Sequence, residues 1–426
     1  MEICITYTAY GEEKMIARTI KKQILRSLKT KPVTLVTGAR QVGKSTLCYE
    51  IRDGLGYEYV SLDDLRERKM AKEDPELFLS LHHAPLILDE VQYAPELFQV
   101  LEANVNKEKE RKGRNEGMYL LTGSQTYELM KGISQSMAGR VSIVRMSPLS
   151  ASEIFSQEEK TFEVSPEAAA KRAKDYHMDI RQLLGLIVRG MYPELYDKEK
   201  TGIESEKFYS DYVDTYLERD VSQIIQLRDK LKFQNFLEVL ASLTGEELVY
   251  DTLAKAVGVK VDTIQSWLSV LVAGGIVYLL EPYHEYSIAK RIMKRPKIYF
   301  SDTGLACYLS RLNNVDVLQR SIFLGRFVET YIVNEIRKSY TNNGKEANMY
   351  YYRDSNQNEI DLVLLQDGEL HLVECKAGIS YTNRDVKAFS QLKKSSYPIG
   401  TSAIICNTPS VYPIGEDVYA LPITSI

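Results

Sequence analysis

The chain has 426 residues, of which 44% are hydrophobic and 26% are charged, and its formal net charge is -4. This length exceeds one ordinary domain, and this composition is typical of folded globular proteins rather than disordered ones. The slightly acidic balance gives no general attraction for nucleic acid, so any contact with a phosphate backbone must come from local basic patches.

Cysteine usage and hydropathy indicate the compartment. The five cysteines are scattered and show no CxxC spacing, which favours a reducing cytosol and disfavours a zinc site. The N-terminus has no apolar core of signal-peptide length. The longest apolar run, residues 267–280, is shorter than the ~20 residues of a membrane span. We therefore predict a cytoplasmic protein without membrane contact, in which residues 1–14 are either a loose extension or a start-site artefact.

The first motif in chain order is Gly-Ala-Arg-Gln-Val-Gly-Lys-Ser at residues 38–45, between a β-branched run and a predicted helix. Glycines at both ends let successive backbone N–H groups wrap a phosphate, and the helix N-terminus faces the anion. Lys44 is expected to reach the β- and γ-phosphates, and Ser45 to ligate Mg²⁺. An ordinary strand-to-helix turn would have no use for this lysine. The predicted nucleotide-binding residues are Gly38, Ala39, Arg40, Gln41, Val42, Gly43, Lys44, Ser45 and Thr46.

A second apolar run, residues 86–88, stops in the carboxylates Asp89 and Glu90. Ligands of a parallel sheet lie at the carboxyl ends of its strands. Asp89 is therefore expected to hold Mg²⁺, and Glu90 to act as the general base toward water. Two acids after a strand would by themselves indicate a solvated turn, but the upstream phosphate loop favours the catalytic interpretation.

Two further catalytic candidates follow. A predicted strand at 118–122 ends in Gly123 and Ser124, and a small polar side chain at such a tip can sense the γ-phosphate. We select Ser124, with Gln125 and Thr122 as alternatives. Arg140 precedes another predicted strand and is a candidate arginine finger. The alternative is an arginine that satisfies carbonyls at a helix C-terminus.

Five stretches together resemble the prokaryotic AAA+ ATPases of the AAA_14 type whose ATPase domain is followed by the C-terminal domain DUF4143. They are residues 38–46, 88–92, 121–124, 138–141 and 148–153. The resemblance covers nearly the whole chain from about Met15. It implies ATP as the nucleotide with Mg²⁺, and an α/β three-layer sheet with the sensor strand between the two Walker strands. Relatives of this kind often form rings, so a homo-oligomer would let Arg140 act in trans.

The middle of the chain is less informative. Residues 156–179 are rich in Glu, Lys and Ala and predict an exposed connector or surface helix. Residues 190–194 resemble the Gly-Gly-Tyr-Pro-Glu stretch of these proteins, with Met191 replacing a glycine. Residues 208–231 have helical spacing, and the family-like 216–220 within them is either a nucleotide-linked segment or a solvated helix face.

Helices at 251–256 and 262–272, with Asp262 as N-cap, precede strands at 276–280 and 297–300. This pattern predicts a winged helix-turn-helix. The second helix has no arginine, so a packing or dimerisation role is the alternative to DNA contact. The wing residues expected to contact phosphate backbone are Lys290, Arg291, Lys294, Arg295 and Lys297.

The last region carries a second chemical signal. A predicted helix at 325–338 bears Glu329, and two predicted strands joined by a turn bear Asp361, Glu374 and Lys376. These residues resemble the PD-(D/E)xK nucleases, in which carboxylates hold Mg²⁺ and the lysine orients water. Arg353, Arg384 and Lys387 would then contact phosphates. An amphipathic hairpin with exposed charges is the alternative.

The predicted domains are an AAA+ ATPase domain at 15–155, a helical connector at 156–235, a winged helix-turn-helix at 236–305 and an α/β nuclease-like domain at 306–426. The predicted function is ATP hydrolysis coupled to binding or processing of DNA or RNA. The alternative is a nucleotide-controlled switch or scaffold for a protein partner, with an inactive nuclease-like domain.

Overall fold

A computed structural model describes residues 15–123, 137–174, 177–197, 204–217, 230–285 and 295–426. Its N-terminal part contains a five-stranded parallel sheet in the order β2-β3-β4-β1-β5. β4 lies between β1 and β3, so the predicted sensor strand does lie between the two Walker strands. The strands are β1 (Val33–Thr37), β2 (Glu58–Ser61), β3 (Leu86–Asp89), β4 (Tyr119–Gly123) and β5 (Val141–Arg145).

Helices cover both faces of this sheet, because alternate strand residues enter two separate apolar cores. One core contains Val36 and Ile87 with helices Lys21–Leu28 and Lys44–Leu55. The other contains Leu35 and the opposite helices. The result is the predicted α/β arrangement of three layers. The helices of the second face are Leu65–Glu73, Pro75–Leu81 and Leu97–Lys112.

The described part of residues 156–179, expected to be an exposed connector or surface helix, does contain a short helix but is not exposed throughout. Phe162 is 1% exposed, and its backbone N–H donates to Ser339 Oγ at 3.0 Å while its carbonyl accepts from Tyr340 OH at 2.9 Å. The segment has few large apolar residues, but it buries them against the C-terminal part of the chain. It therefore packs as a strap rather than as a free linker. Its helix is Pro166–Arg172, and its buried apolar residues include Val164, Ala169 and Met178.

The described residues of 230–300, which we call the three-helix module, form three helices and a small antiparallel sheet in the order β6-β8-β7. The N-cap of its last helix is Lys260 rather than the predicted Asp262. Asp262 lies in the first turn instead, where its charge still favours the helix dipole. The helices are Lys230–Ser242, Tyr250–Val257 and Val261–Ala273, and the strands are β6 (Glu246–Glu247), β7 (Val277–Leu280) and β8 (Lys297–Phe300).

Two family-like stretches lie before this module. Helix Ile180–Arg189 ends at Gly190, and the helix Ser205–Tyr212 continues as a π-helix, Val213–Leu217. Residues 218–229 and the wing residues Lys290, Arg291 and Lys294 lie outside the described residues.

Within the described ranges no single helix is long and apolar enough to cross a membrane. The helices Tyr250–Val257 and Val261–Ala273 are long and apolar enough only when taken together, and they are bent by 102° relative to each other.

The C-terminal part has a six-stranded mixed sheet in the order β13-β14-β12-β11-β10-β9, with helix Leu324–Thr341 packed on it. β9, β10 and β11 are antiparallel, and β12 runs parallel to β11. Asp367 and Gly368 both have positive φ in the β10–β11 turn, as the predicted hairpin requires. The strands are β9 (Met349–Arg353), β10 (Glu359–Gln366), β11 (Glu369–Cys375), β12 (Ser402–Cys406), β13 (Tyr412–Gly415) and β14 (Val418–Pro422). Shorter helices are Thr303–Leu309, Val315–Arg320 and Asn383–Leu392.

Candidate functional site

The phosphate loop joins β1 to helix Lys44–Leu55 through two glycines that the backbone requires. A Cβ at Gly38 would lie 2.1 Å from the Met146 carbonyl oxygen, which is a steric clash. Gly43 has φ +92° immediately before the helix begins, a conformation that disfavours other residues. The glycine spacing is thus a consequence of the loop geometry, which aims the helix N-terminus at the loop's concave side.

Lys44 is buried within this loop. Its ammonium donates hydrogen bonds to the carbonyls of Gly38 at 3.1 Å and Ala39 at 2.8 Å. Burial lowers the pKa of Lys44 to about 8, although the nearby charges of Glu90 and Asp89 favour the ammonium form. These carbonyls are weaker partners than phosphate oxygens would be, so the lysine is positioned to exchange them for an anion.

Asp89 and Glu90 are fixed by neighbouring strands. Asp89 is 3% exposed and accepts hydrogen bonds from Tyr59 OH at 2.7 Å and from the Thr122 hydroxyl. The same Thr122 oxygen accepts from the Glu90 backbone N–H at 3.1 Å, and Gln92 donates to the Glu90 carboxylate. Thr122, one of the alternatives for the sensor, therefore positions both acids. Ser124 and Gln125 lie outside the described residues.

The donors around the loop fit a magnesium ion accompanied by nucleotide. Ser45 opens the helix that follows β1, and Asp89 ends β3, two strands away in the same sheet. Their hydroxyl and carboxylate oxygens are hard ligands of the kind that Mg²⁺ accepts. Protein sites usually give this ion only one or two such ligands and leave the rest to phosphate and water.

Arg18 supports the loop from outside, a role that the sequence did not suggest. Its guanidinium donates to the Val42 carbonyl at 2.6 Å and to the Ser147 carbonyl at 2.7 Å, and it forms an ion pair with Glu153 at 3.1 Å. Two of these partners, Ser147 and Glu153, lie more than 120 residues from Arg18 in the sequence. No local sequence motif could therefore have identified this arginine.

Two other parts of the chain reach the loop. A methyl group at Gly43 would lie 3.7 Å from the Pro193 ring, and one at Gly275 would lie 3.6 Å from the Ala39 backbone nitrogen. Pro193 belongs to the family-like 190–194 stretch, and Gly275 follows the last helix of the three-helix module. The phosphate loop therefore lies at a junction between the N-terminal sheet and the segments that follow it.

Arg140 lies away from the loop. It directly precedes β5, and Val141 pairs in parallel register with Val33 at the start of β1, whereas the loop follows the end of β1. Its side chain forms an ion pair with Glu102 at 3.1 Å and bonds to Asn106 at 3.0 Å. In this arrangement Arg140 cannot contact a phosphate bound to its own loop.

The four residues predicted for the nuclease-like site do lie together. Lys376 Nζ is 2.6 Å from Glu374 Oε1 and 4.0 Å from Asp361 Oδ2, which also accepts from the Cys375 backbone N–H at 2.8 Å. The charge of Asp361 contributes to raising the pKa of both Glu374 and Glu329. We call these four residues together with Lys297 the C-terminal cluster.

Lys297 corrects a prediction. It was expected on the wing as a phosphate contact, but it is 1% exposed. Its ammonium lies 2.9 Å from Glu329 Oε1 and 2.5 Å from Glu359 Oε1. Tyr299, two residues along β8, donates its hydroxyl to the same Glu329 oxygen at 2.6 Å. The strand that the sequence assigned to a solvent-facing wing thus supplies a buried cation to the cluster.

The cluster's electrostatics oppose ionisation of its two glutamates. Burial is the largest cause that raises the pKa of Glu329 to about 7 and that of Glu374 to about 8, while Lys297 and Lys376 act in the opposite direction. Glu374 Oε2 is buried without a partner among the described residues. These same residues contain no group of three His, Cys, Asp or Glu arranged to hold a metal ion. The Lys297 ammonium occupies the place beside Glu329 Oε1 and Glu359 Oε1, so a divalent cation does not fit beside these carboxylates in this arrangement.

Comparisons with known families agree with the resemblance. Residues 30–155 match the AAA domain family, and residues 324–426 match the domain of unknown function DUF4143. Residues 180–316 match a further domain of unknown function, DUF8612. The AAA match and the DUF4143 match stand in the order that the resemblance predicts, with the DUF8612 match between them.

Relatives extend over nearly the whole chain. Uncharacterized proteins of Mycobacterium bovis and Mycobacterium tuberculosis are each 26% identical over 414 residues, which cover 96% of this chain and 84% of each relative. Among solved structures, the Walker-type ATPase of Pyrococcus abyssi is 14% identical, with a TM-score of 0.38, over 68% of this chain and 94% of that one. DnaA of Aquifex aeolicus, bound to AMPPCP, is 13% identical, with a TM-score of 0.27, over 59% of this chain and 86% of that one.

Proposed function

We propose that this protein binds ATP with Mg²⁺ at the phosphate loop and hydrolyses it. The observation that carries the proposal is the buried Lys44 ammonium, held by two loop carbonyls with Asp89 and Glu90 close by. The loop N–H groups and the helix N-terminus bind the phosphates, and Lys44 exchanges its carbonyl partners for phosphate oxygens. Ser45 and Asp89 would hold Mg²⁺, which neutralises phosphate charge. Glu90 accepts the proton of the attacking water.

Steady-state phosphate release tests this proposal. Wild type and Glu90→Gln are compared with Mg-ATP, alone and with single- or double-stranded DNA, at low and physiological salt. Glu90→Gln keeps the side chain's size but removes the base. Turnover well above this blank is expected, and equal rates for the two proteins would refute hydrolysis at this site.

For the output of hydrolysis, we favour a nucleotide-controlled switch that acts on the DUF4143 domain. The supporting contacts start at Arg18, which joins the loop to Glu153. Glu153 belongs to the short helix Ala151–Ile154, in which the Ala151 N–H donates to Glu335 Oε2 at 2.7 Å. Lys338 donates to the Leu149 carbonyl at 2.8 Å. Glu335 and Lys338 belong to helix Leu324–Thr341, which also carries Glu329 of the C-terminal cluster.

Nucleic-acid binding or processing is the second candidate. The module's order of helix, strand, two helices and two strands agrees with a winged helix, and β9 to β12 agree with a PD-(D/E)xK sheet. Arg384 and Lys387 are exposed on Asn383–Leu392 and available to phosphates, whereas Arg353 pairs with Glu247 and Glu359. DNA stimulation of ATP turnover that fades with salt would favour this candidate. Turnover that ignores DNA would favour the switch and a protein partner.

An arginine finger would require a second copy of the chain. Because Arg140 cannot reach its own loop, we propose that it acts in trans within a homo-oligomer. Mixing Lys44→Ala with Arg140→Ala protein tests this idea. The intact phosphate loop of an Arg140→Ala subunit can then meet the intact Arg140 of a neighbouring Lys44→Ala subunit, which should restore part of the ATP turnover. A mixture no more active than its separate components would refute it.

A further inference from the structure

We propose that Lys297 is a built-in cation that keeps divalent metal ions out of the C-terminal cluster. This inference goes beyond ATP hydrolysis and does not depend on it. It starts from the disagreement between the residue types of the cluster, which resemble a metal site, and the buried Lys297 ammonium that already lies against Glu329 and Glu359.

The contacts of Lys297 place a positive charge where a metal ion would need its ligands. Its ammonium is 2.9 Å from Glu329 and 2.5 Å from Glu359, and its side chain is 2% exposed. Tyr299 donates a second hydrogen bond to the same Glu329 oxygen. Glu329, the helix carboxylate of the predicted site, is therefore already neutralised and hydrogen-bonded by residues of β8.

Lys297 comes from outside the DUF4143 domain. β8 pairs only with β6 and β7 of the three-helix module among the described strands. The module approaches the helix closely, since a methyl group at Gly245 would lie 3.6 Å from Glu329 Cδ. The module therefore supplies both the cation of the cluster and the cover over one of its sides.

The seam between the two units combines polar contacts with a shared apolar core, which contains Tyr299, Phe300 and Val328. This core holds Lys297 in place against the cluster. Thr244 Oγ1 lies 2.9 Å from Thr330 Oγ1. Arg326 forms an ion pair with Glu246 at 2.8 Å, and Arg353 forms one with Glu247 at 3.4 Å. The last two pairs are partly exposed, and water and salt can replace such pairs at small cost.

The charge balance explains why the lysine excludes a metal ion. Glu329, Glu359, Asp361 and Glu374 face the cations Lys297, Lys376 and Arg353. A divalent cation beside Lys297 would meet strong repulsion in this buried place. Without Lys297, Glu329 and Glu359 lose the cation that they share, and a divalent cation can take its place beside them.

Binding of Mn²⁺ to the full chain without nucleotide, followed by electron paramagnetic resonance of the free ion, tests the proposal. We compare wild type with Lys297→Met, which removes the charge but keeps much of the stem. Lys297→Met is expected to gain one Mn²⁺ site at least ten-fold tighter than any in wild type, and Lys297→Met with Asp361→Asn is expected to lose it. Arg353→Gln is the matched control, because it removes a cation from Glu359 and leaves Glu329 paired; it is expected to behave like wild type.

Two results would overturn the proposal. One is a folded Lys297→Met protein, judged by circular dichroism, without the gained Mn²⁺ site. The other is wild-type Mn²⁺ binding in the same affinity range that Asp361→Asn abolishes. If Lys297→Met does not fold, Lys297→Gln replaces it. If neither variant folds, Mn²⁺ binding by the wild type and by Asp361→Asn decides the question. Mn²⁺ binding by Lys297→Met without cleavage of DNA would support the role of Lys297 while counting against a nuclease.

Discussion

Two buried lysines, Lys44 and Lys297, lie near carboxylates in this protein, and their surroundings differ in one respect. The Lys44 ammonium is held by two backbone carbonyls, and burial lowers its pKa to about 8. The Lys297 ammonium is held by Glu329 and Glu359, and these charges, helped by Asp361, raise its pKa well above the ordinary value despite burial.

The difference separates a lysine that awaits a ligand from one that already has its counter-charges. An incompletely neutralised buried ammonium is costly and gains when an anion arrives. A buried ammonium between two carboxylates has no such gain, and removing it leaves unpaired charge behind. We therefore assign ligand binding to Lys44 and the exclusion of metal ions to Lys297.

Lys44→Ala should have the largest effect. The substitution removes the side-chain cation of the phosphate loop that we assign to the β- and γ-phosphates, so ATP turnover should fall by at least 1,000-fold, about 4 kcal/mol in the barrier. Phosphate release and nucleotide binding measure this loss. Lys21→Ala, which removes the partly exposed Lys21–Glu50 pair of the neighbouring helix, is the control and should retain turnover. Normal turnover by Lys44→Ala would contradict the contrast between the lysines.

Lys297→Met should come next, through stability. Breaking a buried ion pair from one side typically costs 3–5 kcal/mol, and the raised pKa of Glu329 lets this carboxyl take up a proton instead. We expect a loss of about 3 kcal/mol in the free energy of unfolding, measured with urea. Arg353→Gln, which breaks more exposed pairs, should cost less than about 1 kcal/mol. Equal losses for the two variants would show that Lys297 is not buried between its carboxylates.

Arg18→Ala tests the support of the loop. The variant removes hydrogen bonds to Val42 and Ser147 and leaves Glu153 without its cation, so it should lose about 2 kcal/mol of stability. We expect roughly ten-fold weaker ATP binding because the loop carbonyl is no longer fixed. Titration with a fluorescent ATP analogue measures this change. Unaltered affinity in a destabilised protein would limit Arg18 to a structural role.

Glu159→Gln should leave ATP turnover unchanged and alter only stability, by an amount that depends on pH. Burial and the nearby charges raise the pKa of Glu159 from its ordinary 4.5 to about 7. The folded state therefore keeps the proton between these values while the unfolded state releases it, so wild-type stability falls as pH rises from about 4.5 to 7.

Glutamine cannot ionise, so Glu159→Gln should be more stable than wild type by on the order of 2 kcal/mol at pH 8. The difference should vanish below about pH 4.5. Thermal unfolding across this range measures it, with Glu158→Gln, at an exposed neighbour, as the control. A stabilisation that does not change with pH would exclude ionisation of Glu159 as the cause.

The sequence was most informative where a function occupies contiguous residues. The phosphate loop and the strand ending in Asp89 follow from local patterns, since each combines a short motif with a strand boundary. The order of β1, β3 and β4 was implied by the family resemblance instead. Arg18 and Lys297 could not be assigned, because their partners lie many residues away and only the tertiary fold brings them together. Lys297 was misassigned to a solvent-facing wing, since a basic residue on a short strand is more often exposed than paired.

The strap at 156–179 shows a different limit. Its composition is that of a solvated helix, yet Phe162 and Val164 are buried against the C-terminal part of the chain. Single apolar residues in a polar segment have no periodicity from which burial could be predicted. In the C-terminal cluster, the four residues selected from the sequence lie close together in the structure. The ion pair between Glu329 and Lys297 could not be predicted, because these two residues come from distant parts of the chain.

The proposed switch requires that nucleotide at the phosphate loop changes the dynamics of helix Leu324–Thr341. Amide hydrogen exchange tests this requirement most directly. The full chain is measured with and without Mg-ATP in the Glu90→Gln background, which retains nucleotide, and in Glu90→Gln with Arg18→Ala. We predict that ATP changes exchange in residues 324–341 by at least three-fold, and that the Arg18 substitution removes this change under saturating nucleotide. Exchange there that stays the same while the phosphate loop becomes protected would contradict the claim.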